Sequence, residues 1–182
     1  MHTHEQTIQK AHVVCHIFED DGVFPNNNKL PVMVYKGAFL LHPSEDGSVI
    51  KRVFESHNWK NSWEDGIYDY QHYQSIAHEV LGVVCGKADI QLGGPEGVCV
   101  ELVRGDVVVI PAGVAHKCLM SSKDFSVVGA YPDGMDYDLN NGEAGERPKA
   151  DENIRNVKIP GTDPVYGDSG PLIEHWTEDQ SS

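Results

Sequence analysis

Between Tyr68 and Tyr131 the chain is written as brief runs of Val, Ile, Leu and Tyr, cut by Gly82, Gly86, Gly93, Gly94, Gly97, Gly105 and Gly113. Short apolar runs bounded by glycine read as antiparallel strands. Three turns are marked: "GK" after "HEVLGVVC", "GGPEG" after "KADIQL", and "RGD" between "VCVELV" and "VVVIPAG". Each can supply a positive φ or a bulge. Short strands on a regular turn spacing predict an all-β barrel or sandwich.

The flanks read differently. "AHVVCHIFED" is strand-like and leads into "DGVFPNNNKLP", an irregular loop, so an edge strand and arm are expected there. "VMVYKGAFL" is β-rich. Val49, Ile50, Val53 and Phe54 fall at spacings of three and four, which predicts a short helix before the barrel. After Pro132, "DGMDYDLNNGEAGERPKADEN" has no apolar period and reads as a long surface excursion. The tail regains Ile154, Val157, Ile159, Val165, Leu172, Ile173 and Trp176 among prolines, which predicts an extended C-terminal flap. One domain over 1–182 is expected, with a barrel core over 66–132 and the arm and flap packed on it.

Charge narrows the partners. Asp and Glu outnumber Lys and Arg by 28 to 14, so no basic stripe tracks a phosphate backbone and an anionic membrane is repelled. "MHTHEQTIQK" has neither a basic n-region nor an apolar run, and no stretch of 18 apolar residues occurs, so a cytoplasmic protein is expected. Cys15, Cys85, Cys99 and Cys118 form no CxxC pair, which suits reduced thiols and excludes a zinc knuckle.

The chemistry-bearing stretch is "GIYDYQHYQSIAHEVLGVVCG". His72 and Gln74 share strand parity, and a turn at "SIAH" lets a second strand return Glu79 to them. Some forty residues on, Pro111 and Gly113 form a tight turn before His116. The first stretch resembles cupin motif one, G(X)5HXH(X)3,4E(X)6G, at Gly66, His72, Glu79 and Gly86. The second resembles motif two, G(X)5PXG(X)2H(X)3N, at Gly105, Pro111, Gly113 and His116. Gln74 stands where motif one has its second histidine, and Met120 where motif two has asparagine. The wider pattern "YQHYQSIAHEVLG", "GDVVVIPAGVAHK", "FSVVGAYPDGMDYDL" and "DPVYGDSGPL" is similar to the YjlB-type group of small bacterial cupins.

The resemblance implies a jelly-roll-like barrel and one divalent transition metal, Fe, Mn, Ni or Zn, on His72, Glu79 and His116. Gln74 is open to three readings: a weak oxygen ligand, a hydrogen-bond donor to substrate, or a spectator. Glu79 is the candidate base. Tyr70 and Tyr131 are candidates to hydrogen-bond a small-molecule substrate at the mouth, against the plainer reading of half-buried strand tyrosines. His78 has the opposite parity to Glu79 and is expected to point away, as is Lys117 beside His116. Cys85 and Cys118 are expected to be small buried apolar residues, and "RGD" a structural turn. Cupins include oxidoreductases such as dioxygenases, isomerases and lyases, and binders. The expected function is a metal-dependent enzyme, with a non-catalytic binding or sensing cupin or a metal-free structural barrel as alternatives. The same resemblance implies a homodimer.

Overall fold

The computed structural model describes residues 7–177, so the first six residues of the "MHTHEQTIQK" stretch lie outside the described part. The chain order is β1 (His12–Phe18), β2 (Asn27–Lys36), α1 (Gly47–Ser56), β3 (Trp59–Asp65), β4 (Glu79–Cys85), β5 (Lys87–Leu92), β6 (Val98–Val103), β7 (Val107–Ile110), β8 (His116–Ser121), β9 (Ser126–Pro132), α2 (Lys149–Asn156) and α3 (Pro171–His175). A six-stranded sheet runs β1-β2-β7-β4-β9-β3 and a three-stranded sheet runs β6-β5-β8. The strand pairs are antiparallel, so the fold is all-β and jelly-roll-like, a two-sheet sandwich of the kind the turns predict.

The three glycine turns fall where the sequence marks them. Gly86 joins β4 to β5 with φ +76°, and Gly105 joins β6 to β7 with φ +94°. The "RGD" turn is structural. Asp106 accepts from the N–H groups of Gly37 and Val103, both at 2.8 Å, and pairs with Lys36 Nζ at 2.5 Å. Arg104 donates to the carbonyls of Val84 (3.1 Å), Glu45 (3.3 Å) and His42.

The large sheet buries both faces. Its inner face, with Leu81, Val83, Val108, Ile110 and Val127, packs on Ala88, Ile90, Leu92 and Cys118 of the small sheet. Its outer face, with Val80, Val84, Val107, Val109, Val128 and Ala130, is covered by α1 and the C-terminal segment. Helix α1 forms because Asp46 caps it, accepting from the Ser48 N–H at 3.0 Å, and because its predicted stripe meets this face. Gly82 permits the approach: a Cβ there would lie 2.8 Å from Ile50 Cγ2. Phe54 is fully buried beneath Phe39. Phe54→Ala is expected to cost about 3–5 kcal/mol, read as a lower urea midpoint; a loss under about 1 kcal/mol would show that α1 is an ornament.

Two boundaries differ from the sequence reading. The barrel does not begin at 66, because β1, β2 and β3 supply half of the large sheet and β2 lies between β1 and β7. Strand β1 does form the predicted edge. The excursion after Pro132 also contains helix α2, which sequence periodicity could not show since only Ala150 of its residues is buried. That segment is tied down by Arg147, which pairs with Asp151 at 2.6 Å and with Asp20. The flap packs as expected. Trp176 donates to the Pro31 carbonyl at 2.9 Å, and Asp163 accepts from the Tyr35 hydroxyl at 2.6 Å and the Leu172 N–H at 3.1 Å.

Candidate metal centre

One end of the sandwich holds a cavity of about 430 Å³. His72, Gln74, Glu79, His116 and Tyr131 all line it, so the structure brings together every predicted site residue except Tyr70. Parity explains the convergence. Glu79 opens β4 on the inward register of Leu81 and Val83, and Tyr131 closes β9 on that of Val127. His116 opens β8 two residues before Cys118, which is itself in the inner core.

Residues 68–74 add to the edge of β8. Cys118 N–H donates to the Tyr68 carbonyl at 2.9 Å, and His72 and His116 exchange backbone hydrogen bonds of 3.1 and 2.9 Å. Directly opposed residues of an antiparallel pair present side chains to one face, and the two imidazole centroids are 4.1 Å apart. Gly113, at φ +97°, donates to the Gln74 carbonyl at 2.7 Å and fixes the turn that delivers His116.

The two rings are oriented alike. His72 Nδ1 lies 2.9 Å from the Tyr70 carbonyl and His116 Nδ1 lies 3.1 Å from the Val114 carbonyl. A carbonyl can only accept, so each Nδ1 carries a proton, and the neutral form of each ring has its lone pair on Nε2. Burial, with His116 beside it, holds the His72 imidazole down to about 3, so it is neutral at ordinary pH.

Glu79 is 2% exposed, with no Lys or Arg paired to it among the described residues. Its Oε2 accepts from the Tyr131 hydroxyl at 2.7 Å and from Gln74 Nε2 at 3.3 Å. The Tyr131 oxygen accepts in turn from Trp63 Nε1 at 2.8 Å. An indole N–H only donates, so the phenol proton must point to Glu79. Burial and the adjacent Glu79 charge raise the Tyr131 phenol above its ordinary value and keep it a donor. Glu79 Oε1 faces His116 Nε2 at 3.5 Å.

Among the described residues no three His, Cys, Asp or Glu side chains are arranged as a ready ion-binding cluster. The donor set nevertheless fits a borderline divalent ion. It comprises two buried imidazoles with Nδ1 tied to backbone, as metal-ligating histidines have, and one carboxylate with an oxygen left over from its hydrogen bonds. Gln74 turns its amide nitrogen to Glu79, which makes it a support of the carboxylate.

Tyr70 is corrected. Its ring is 40% exposed, stacks on Tyr68 at 5.0 Å and does not line the cavity, whereas Tyr68 does. The parity argument fails there because the segment bends at 69–70 and is not a strand. His78 points away as expected, accepting from the Ala112 N–H at 2.9 Å, donating to the Lys158 carbonyl at 3.2 Å and packing on Trp176. Cys118 is buried in the inner core and Cys85 packs against the outer one.

Sequence reasoning missed Trp63, Tyr137, Asp138 and Leu139 as cavity walls. Trp63 lies across Gly129, where a Cβ would sit 2.4 Å from the indole. Tyr137 stacks on Tyr131 at 4.3 Å. Asp138 accepts from the Ser75 N–H (2.7 Å), the Ser75 hydroxyl (2.5 Å) and Asn140 Nδ2 (2.9 Å). Burial raises its carboxyl, but these donors outweigh it and hold the group below its ordinary value.

A jelly-roll-like sandwich with His72, Glu79 and His116 at one end, on two turn-linked motifs, defines a cupin. The sequence is 42% identical to the uncharacterized protein YjlB of Bacillus subtilis (strain 168) over 163 residues, 90% of this chain and 96% of that one, and the chain belongs to the YjlB family. No protein-family model matches it. Similar solved structures include acireductone dioxygenase from Bacillus anthracis with a cadmium ion in its active centre, at 16% identity, 71% of this chain, 82% of that chain and TM-score 0.38. Another is a cupin 2 domain-containing protein from Halorhodospira halophila, at 13% identity, 83% of this chain, 85% of that chain and TM-score 0.34. No helix among the described residues is long and apolar enough to cross a membrane.

Proposed function

We propose that this protein is a metal-dependent enzyme acting on a small molecule, with His72, Glu79 and His116 holding one divalent transition ion. The observation that carries the reading is the shared orientation of the two buried histidines, each with Nδ1 donating to a backbone carbonyl, which leaves Nε2 to face the cavity as the nitrogen that could bind an ion. Such an ion supplies Lewis acidity or, if redox-active, dioxygen chemistry. The chain's own residues do the rest. Tyr131, locked by Trp63, and Gln74 fix the Glu79 carboxylate. Tyr137 and Leu139 give the cavity an apolar wall. Glu79 Oε1, which takes no hydrogen bond, would hold the ion and, on shifting off it, is the atom placed to accept a substrate proton.

Protein purified without a polyhistidine tag, and a His116→Ala variant prepared identically, are expected to differ by close to one equivalent of Fe, Mn, Ni or Zn in elemental mass spectrometry. No metal in the parent after reconstitution with each ion would overturn the reading and leave a binding or structural barrel.

A further inference from the structure

Four aromatic rings line the cavity: Trp63, Tyr68, Tyr131 and Tyr137. Among the described residues no Lys or Arg lines it. Four acidic residues line it, and among the described residues none of them pairs with a Lys or Arg: Glu79 at the floor, Asp138 on the wall, and Asp65 and Glu64 from β3, of which Asp65 faces in at the rim. Asp65 shares the inward register of Trp63 on β3, while Glu64 turns the other way, against Gly47 at the start of α1. Asp138 has its hydrogen bonds filled by Ser75 and Asn140, so what it offers a ligand is field rather than a specific bond.

From this juxtaposition we infer that the cavity takes a small organic cation: a protonated amine on a flat apolar body, held among the tyrosine and tryptophan faces with its ammonium toward Asp138 and Asp65. The inference rests on the reading of this cavity as a substrate site. Aromatic faces attract cations electrostatically, and carboxylates in a confined cavity add to that attraction. A carboxylate or phosphate ligand would find like charges and no counter-charge. A bound divalent ion would itself attract an anion, so the titration into chelator-treated protein reads the field of the cavity's own residues.

The test compares ligands of one shape and three charges by calorimetric titration: tyramine, 4-ethylphenol and 4-hydroxyphenylacetate. Each is titrated into metal-replete and chelator-treated protein. Tyramine is expected to bind at least about tenfold more tightly than 4-hydroxyphenylacetate, with 4-ethylphenol between them. Asp65→Asn and Asp138→Asn are each expected to narrow the gap. Asp65 is exposed, so that variant keeps the fold even if loss of the Asp138 tie to Ser75 does not. Equal or tighter binding of the acid, a gap unchanged by both substitutions, or no binding of any of the three would overturn the inference. Metal retention with preference for the acid would sink the ligand class and spare the metal site. Preference for the amine in protein that never takes up metal would do the reverse.

Discussion

Glu79→Gln is expected to weaken divalent-metal affinity by more than about 100-fold while leaving the fold intact. The lower bound comes from the 10- to 100-fold cost of removing a partner that only orients a ligand; here the sole anionic ligand itself is neutralised. The geometry adds a second loss. Tyr131 and Gln74 both donate to Oε2, so the glutamine oxygen must take that position. The amide nitrogen then stands where Oε1 faced His116 Nε2 at 3.5 Å, and its N–H groups are aimed at the lone pair a metal would use. Every hydrogen bond of the site is preserved, which is why stability should move by less than about 1 kcal/mol. Calorimetric titration of zinc or nickel, beside a urea melt of the metal-free proteins, checks both halves. A variant that keeps a full equivalent of tightly held ion would remove Glu79 from the ligand set.

What could be read in the sequence was local. The turns at Gly86 and Gly105 need only a positive φ within a few residues, and the α1 stripe needs only the helical period. His72, Glu79 and His116 were legible because motif spacing carries them, and parity placed Glu79 and Tyr131 on one face. Trp63, Tyr137 and Asp138 obey no such rule. Trp63 reaches Tyr131 because the sheet orders β4, β9 and β3 as neighbours and because Gly129 leaves room for the indole, both long-range facts. Tyr137 and Asp138 sit in a polar stretch without period, pinned by Ser75 and by the two backbone bonds between Tyr73 and Asn140. Parity also misled where the chain was not extended, as at Tyr70. Motif spacing thus located the three residues that converge on the cavity, while the walls that shape it depended on topology.

Mild acid is expected to destabilise the metal-free protein steeply. Burial lowers His78 to about 4, and burial with the neighbouring His116 lowers His72 to about 3. Both lie below the ordinary histidine value of about 6.5. Above pH 6.5 neither state of the chain takes up these protons, so the two histidines cost nothing. Below it the unfolded chain is protonated first, the unfolded state binds more protons, and stability falls as pH falls. Each group costs about 1.4 kcal/mol per pH unit until its folded value is reached, so together they cost about 3 kcal/mol per unit near pH 5. The carboxyls of Asp20, Asp138, Glu146 and Asp151, held below their ordinary values, add to the loss only below about pH 4.5. His78 is tautomerically fixed, accepting from Ala112 and donating to Lys158, so a second proton would break the bond from Ala112. Urea melts in chelator at pH 7, 6 and 5 should show the decline, and His78→Gln, less stable at pH 7, should show about half the slope. A flat profile between pH 7 and 5, or an unchanged slope in the variant, would show that these buried imidazoles do not control acid stability.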